Sequence, residues 1–134
     1  MKIVLDTNVL VSGLLSPFGP PGELVRLVAA GDLTLCFDAR LTSEYREVLE
    51  REKFGFDRDS VSALLDFVAF AGILVAAAPL KMPLPDPDDE PFLAIALAAN
   101  VPLVTGNLKH FPLRKRQGGQ VLAPHEFLAL YRAR

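Results

Sequence analysis

A chain of 134 residues, 51% hydrophobic and 22% charged, is long enough to bury a core without staples and too apolar to stay disordered. No apolar stretch approaches the roughly 20 residues that a membrane span needs, and the single cysteine, Cys36, has no partner for an internal disulfide. A formal net charge of −2 argues against a protein that wraps nucleic acid over its whole surface, so any such contact is local, metal-assisted or shared with a second chain.

The chain opens on Ile3-Val4-Leu5, a branched apolar run that reads as a strand buried on both faces. No basic segment precedes it, so no signal peptide is expected and the cytoplasm is the default location. The strand stops at Asp6-Thr7-Asn8, and an apolar segment, Val9 to Leu15, follows at once. Asp6 therefore sits at the carboxyl end of a central strand, where open α/β sheets bind ligands. Taken alone, it reads equally well as the N-cap of the next helix.

Pro17 to Gly22 is a loop, Glu23 to Ala30 an amphipathic helix with Gly31 as its stop, and Leu33 to Phe37 a second strand. Cys36 lies inside that strand and reads as a small buried hydrophobe. Leu41 to Leu49 is expected as a helix capped by Thr42 or Ser43, which places Glu44 in its first turn. A further helix covers about Asp59 to Ala71, with Val61, Leu64, Leu65 and Val68 at helical spacing, and Ile73 to Val75 is a third strand. Four prolines make Pro79 to Pro87 an extended connection. Asp88-Asp89-Glu90-Pro91 opens a helix whose apolar body, Phe92 to Ala99, packs on both sides and ends near Asn100. Pro102 to Thr105 is a fourth strand, Lys109 to Gln117 a short basic segment, and Gly118-Gly119 a hinge. Gln120 to Leu122 is a fifth strand and His125 to Ala133 a closing helix. Without repeats or an internal boundary, residues 1–134 read as one domain. Strands alternating with helices indicate a parallel sheet with helices on both faces.

In such a sheet each crossover helix starts at the edge where the preceding strand ends. That rule gathers Asp6, Glu44, Asp86, Asp88, Asp89 and Asn107 on one edge. First-turn acids complement helix dipoles, but each such interaction is worth only about 0.3–1 kcal/mol, too little to offset several carboxylates repelling one another. A hard divalent cation with oxygen ligands does it better. Such a centre can orient a water for in-line attack on a phosphodiester and stabilise the leaving oxygen.

Four segments carry a family likeness: Val4-Leu5-Asp6-Thr7-Asn8-Val9-Leu10, Ser43-Glu44-Tyr45, Asp86 through Ala94, and Leu103-Val104-Thr105-Gly106-Asn107-Leu108-Lys109-His110-Phe111. In this order they resemble the PIN-domain family, and more narrowly its VapC-like branch, the toxin components of toxin–antitoxin pairs. The resemblance implies an α/β/α sandwich on a five-stranded parallel sheet ordered 3-2-1-4-5. It also implies an Mg²⁺- or Mn²⁺-dependent ribonuclease, an antitoxin encoded as a separate chain, and a homodimer, to which exposed apolar residues of Val9 to Leu15 and the closing helix would contribute. Carried over by position, Asp6, Glu44 and Asp89 are the metal-holding and catalytic acids. Asn8 holds Asp6, and Thr105 and Asn107 line the site. The chain departs from the family at one point. Many members have a fourth acid where Asn107 or His110 stands, so either the second metal position is weak or Asp86 or Asp88 supplies that charge.

His110 reads either as a phosphate contact or as a surface histidine capping a turn. Lys109, Arg114, Lys115 and Arg116 form the densest basic patch, open to two readings: a solvated loop, or a salt-sensitive phosphate contact. The alternative to a nuclease is a catalytically weak module of the same fold that binds RNA or protein. Phosphatases and receiver domains also put acids at strand ends, but a haloacid-dehalogenase-type phosphatase would have a second Asp where Asn8 stands, and a receiver would follow its first strand with paired acids.

Overall fold

The computed structural model describes all residues, Met1–Arg134. Its five strands are β1 (Lys2–Leu5), β2 (Thr34–Phe37), β3 (Ile73–Leu74), β4 (Leu103–Val104) and β5 (Val121–Leu122). All pair in parallel, in the order β3-β2-β1-β4-β5. Six helices complete the α/β sandwich: α1 (Thr7–Leu15), α2 (Pro20–Ala29), α3 (Ala39–Leu49), α4 (Arg58–Ala71), α5 (Glu90–Ala99) and α6 (Pro124–Ala133). The class is the one the alternation of strands and helices led one to expect, and the sheet order is the one the family resemblance implied.

β1 is central because its side chains tolerate burial from both faces. Ile3, Val4 and Leu5 are wholly buried, and burying such side chains contributes about 1.5–3 kcal/mol each. α5 crosses β1 and β2, and its residues Phe92 to Ala96 are all buried. The tight contact between α1 and α2 has a steric cause. A Cβ on Gly13 of α1 would fall 2.6 Å from the Pro21 carbonyl oxygen of α2, and one on Gly22 would fall 2.1 Å from that of Pro17 in the loop joining them.

Several helix boundaries differ from the sequence-based expectation, each for a local reason. α2 begins at Pro20, three residues before Glu23, because Pro20 and Pro21 suit the first turn, where no amide partner is needed. It ends in a Schellman motif: the Gly31 amide donates to the Val28 carbonyl and that of Asp32 to the Leu27 carbonyl, with Gly31 at φ 82°. α3 is capped by Asp38 and not by Thr42 or Ser43. The Asp38 carboxylate accepts the amides of Arg40 (2.9 Å) and Leu41 (3.1 Å), so the helix starts directly after β2. Glu44 consequently lies in the second turn of α3. A 3₁₀ turn, Pro87–Asp89, precedes α5, and the basic segment folds as two further 3₁₀ turns, Leu108–His110 and Leu113–Lys115.

Of the two glycines at Gly118-Gly119, Gly118 is open, at φ 86°, whereas Gly119 is packed, since a Cβ on it would lie 3.0 Å from Leu97 Cδ2. Within Val9 to Leu15, Val9 and Leu10 belong to the core, leaving Leu15 as the one large apolar residue there that is exposed. The long connection before α5 is extended as expected and is anchored by buried Leu84, whose amide donates to Glu90 Oε2 at 3.1 Å. No helix is long and apolar enough to cross a membrane.

Candidate functional site

The parallel register decides where the first polar groups meet. Leu5 pairs with Val104, so the next residues, Asp6 and Thr105, come side by side at the carboxyl edge, between β1 and β4. The order of connections reverses there, which makes it the sheet's switch point. Asp6 occupies the N-cap position of α1, yet its side chain caps no helix amide. Its Oδ2 accepts a hydrogen bond from Thr105 Oγ1 at 2.8 Å and a longer one from Asn8 Nδ2 at 3.3 Å. Asn8 is fixed in turn by its Oδ1, which accepts the Gly106 amide at 3.0 Å, and Thr105 Oγ1 accepts the Asn107 amide at 3.0 Å. Asp6 thus stands on a small network tying β1 to the loop after β4.

Glu44 arrives from α3 although it is outside the first turn. The adjacent Tyr45 is completely buried and donates its hydroxyl to the Leu5 carbonyl, which draws α3 over the end of β1. From there Glu44 Oε2 accepts a hydrogen bond from Thr7 Oγ1. Thr7 and Tyr45 are functional neighbours that sequence reasoning did not single out. Thr7 had a signal, as a polar residue between two assigned ones; the buried reach of Tyr45 had none.

Asp89 comes from the other side, at the junction between the Pro87–Asp89 turn and α5. It is only 9% exposed. Its Oδ2 lies 3.0 Å from His110 Nδ1, but the pair lacks hydrogen-bond alignment, and this buried oxygen has no donor. Asp86 caps the turn by accepting the Asp88 amide at 2.9 Å, and ligand atoms of Asp86, Asp89 and His110 all lie within 4.8 Å of one another. Asp88 is exposed and acts on Glu44 only through its charge.

The three central carboxyls are all pushed above their ordinary pKa values, and burial is the first cause in each. Asp6 is raised by desolvation, partly offset by the hydrogen bonds from Thr105 and Asn8 and by the charge of His110. Glu44 is raised by desolvation and then by the charges of Asp6 and Asp88, against the Thr7 hydrogen bond. Asp89 is raised to about 6 by desolvation and by the charges of Asp6 and Asp86, with His110 pulling the other way. Buried acids that repel one another, one of them with an orphaned oxygen, are what a divalent cation would relieve. The donor set of carboxylate oxygens therefore fits such an ion.

The structure leaves the basic residues less uniform than the sequence suggested. Lys109 and Arg114 are exposed, whereas Arg116 spends its Nε on the Phe111 carbonyl at 2.8 Å, and Lys115 is half-buried in the last 3₁₀ turn. His110 is not a solitary turn cap, because it faces Asp89. The larger clefts of the surface lie away from the acids. One of about 340 Å³ is lined by Ala78, Pro79, Leu80, Leu97 and Gln117 among others.

Residues 2–109 match the family model described as PIN domain. No curated protein matches the chain. Among solved structures, the chain is similar to VapBC2 from Rickettsia felis bound to a DNA fragment from their promoter, with 18% identity and a TM-score of 0.56 over 91% of this chain and 97% of that one. It is similar to FitAB bound to an IR36 DNA fragment at 17% identity and a TM-score of 0.63, covering 92% and 95%. FitAcB from Neisseria gonorrhoeae gives 17% identity and a TM-score of 0.57, covering 93% and 99%. At these identities the likeness is one of fold.

Proposed function

The chain belongs to the PIN-domain family, and from that premise we propose that it hydrolyses RNA phosphodiester bonds with Mg²⁺ or Mn²⁺ held by Asp6, Glu44 and Asp89. The observation that carries the reading is that three buried or half-buried carboxyls from distant segments all have raised pKa values, with the charge of Asp6 acting on both Glu44 and Asp89, and that a buried oxygen of Asp89 has no donor. A bound ion would lower the pKa of a water and neutralise charge on the phosphodiester oxygens.

The protein's own groups prepare that chemistry. Thr105 and Asn8 both hold Oδ2 of Asp6, which leaves Oδ1 to face a ligand. Thr7 does the same for Glu44 by engaging Oε2. Fixed in this way, the acids need little rearrangement when a cation and substrate arrive. Asn107, whose backbone amide donates a hydrogen bond to Thr105 Oγ1, would line the approach. Lys109 and Arg114 are the exposed cations able to contact flanking phosphates, with Lys115 and Arg116 shaping the turn that carries them. With a net charge of −2, that contact is local and salt-sensitive.

The toxin reading extends to partners: an antitoxin chain, a second copy of this chain and a cytoplasmic setting. The fold likeness to VapBC2 and FitAB supports it. One feature favours the alternative of a weakly catalytic binding module, namely that neither residue 107 nor residue 110 is acidic. Cleavage of labelled RNA in Mn²⁺, Mg²⁺ and EDTA, with Asp6→Asn prepared identically, separates the two. Activity that needs metal and disappears in the variant is the expected result. Metal binding with no cleavage of any RNA would favour the module, and equal cleavage by wild type and variant would refute the assignment of Asp6.

A further inference from the structure

The fourth acid's absence is usually a subtraction; here the structure puts a different ligand in its place. His110 points Nδ1 at Asp89 Oδ2 from 3.0 Å, and Asp86 brings a carboxylate oxygen into the same cluster, within 4.8 Å of both. The contact lacks the alignment of a hydrogen bond, so it does not satisfy the buried oxygen. It has the spacing of two ligands on neighbouring vertices of one cation. For metal–ligand distances near 2.1 Å, that spacing is about 3.0 Å.

We propose that Asp86, Asp89 and His110 form a mixed oxygen–nitrogen cation position, adjoining Asp6 and Glu44, that selects a divalent transition metal over Mg²⁺. Three observations combine. Asp89 is more than nine-tenths buried and has an oxygen with no donor. An imidazole nitrogen, an effective ligand for first-row transition metals and a poor one for Mg²⁺, faces that oxygen. Asp86 is held for this by its own turn, since its Oδ1 accepts the Asp88 amide and leaves Oδ2 available. The proposal rests on Asp89 being a metal ligand, as in the function proposed above, but it concerns which metal and which nitrogen, not which substrate.

The test is spectroscopic and uses Mn²⁺ itself. The chain has two histidines, His110 and His125, so a nitrogen coupled to bound Mn²⁺ can be assigned. Pulsed electron paramagnetic resonance of the Mn²⁺-loaded protein should show coupling to a directly bound imidazole nitrogen. The coupling should persist in His125→Ala and vanish in His110→Asp. Calorimetry should show the preference for Mn²⁺ over Mg²⁺ falling at least about tenfold in His110→Asp, the scale on which even outer-sphere losses act, with circular dichroism reporting that the fold is kept. Bound Mn²⁺ without nitrogen coupling in the wild type would overturn the proposal, as would coupling that survives in His110→Asp. No Mn²⁺ binding at all would overturn both this proposal and the metal-dependent reading. Nitrogen-coupled Mn²⁺ in a protein that cleaves no RNA would overturn the nuclease reading alone.

Discussion

At the scale of single residues, the site is defined by what each carboxylate is denied. Asp6 has an N-cap's position without an N-cap's bonds, because Thr105 and Asn8 turn its side chain toward the edge between β1 and β4. Asp89 is buried with one oxygen unsatisfied, and its pKa stands at about 6 against an ordinary value of 3.8. A carboxyl raised on folding stabilises the fold while protonated and loses that contribution as pH rises through its folded value. Asp6 and Glu44 are shifted in the same direction. The metal-free protein should therefore lose stability between about pH 4 and pH 7. The thermal midpoint in EDTA, measured across that window, should fall for wild type and fall less for Asp89→Asn. A midpoint that rises through the window in wild type would contradict the burial account.

At the scale of elements, α3 shows how a site residue is delivered by packing and not by sequence position. Asp38 starts the helix early and shifts Glu44 to the second turn, yet Glu44 still meets Thr7 because Tyr45 ties the helix to the Leu5 carbonyl. Tyr45→Phe should leave that carbonyl without its donor. A buried unsatisfied group costs about 1–3 kcal/mol, so the urea midpoint should drop. Because Glu44 sits beside Tyr45, Mn²⁺ affinity should drop as well. Unchanged stability together with unchanged affinity would show that the tether is idle. This helix also marks the limit of what the sequence discloses. Ile3-Val4-Leu5 announced a central strand through composition alone, and Gly31 announced a helix end through its backbone freedom. The cap of α3 was expected at Thr42 or Ser43 and is Asp38, a residue type that caps equally well. Which one serves depends on how closely the helix follows β2. His110 was legible as a residue and not as a partner of Asp89, because the 3₁₀ turns that aim it depend on tertiary contacts, with no periodic pattern to announce them.

At the scale of the whole molecule, strand order does most of the positioning. In a parallel sheet ordered β3-β2-β1-β4-β5 the order of connections reverses between β1 and β4, and the segments after β1, β2, β3 and β4 all reach the same edge. Asp6 and Thr105 become hydrogen-bonded neighbours, and Glu44 and Asp89 come within reach of the charge of Asp6. The larger clefts lie elsewhere, one of them lined by Ala78, Pro79, Leu80, Leu97 and Gln117. The structure also carries a cost, for acids gathered this way oppose one another until a cation joins them. The most direct test of that claim is calorimetric titration of Mn²⁺ into wild type, Asp6→Asn and Asp89→Asn at about pH 6 and about pH 8, in buffers that report proton release. Binding should be tighter at the higher pH and release protons mainly at the lower one, and each variant should lose at least about tenfold in affinity. Equal affinity at both pH values and in all three proteins would mean that these carboxylates do not hold the ion.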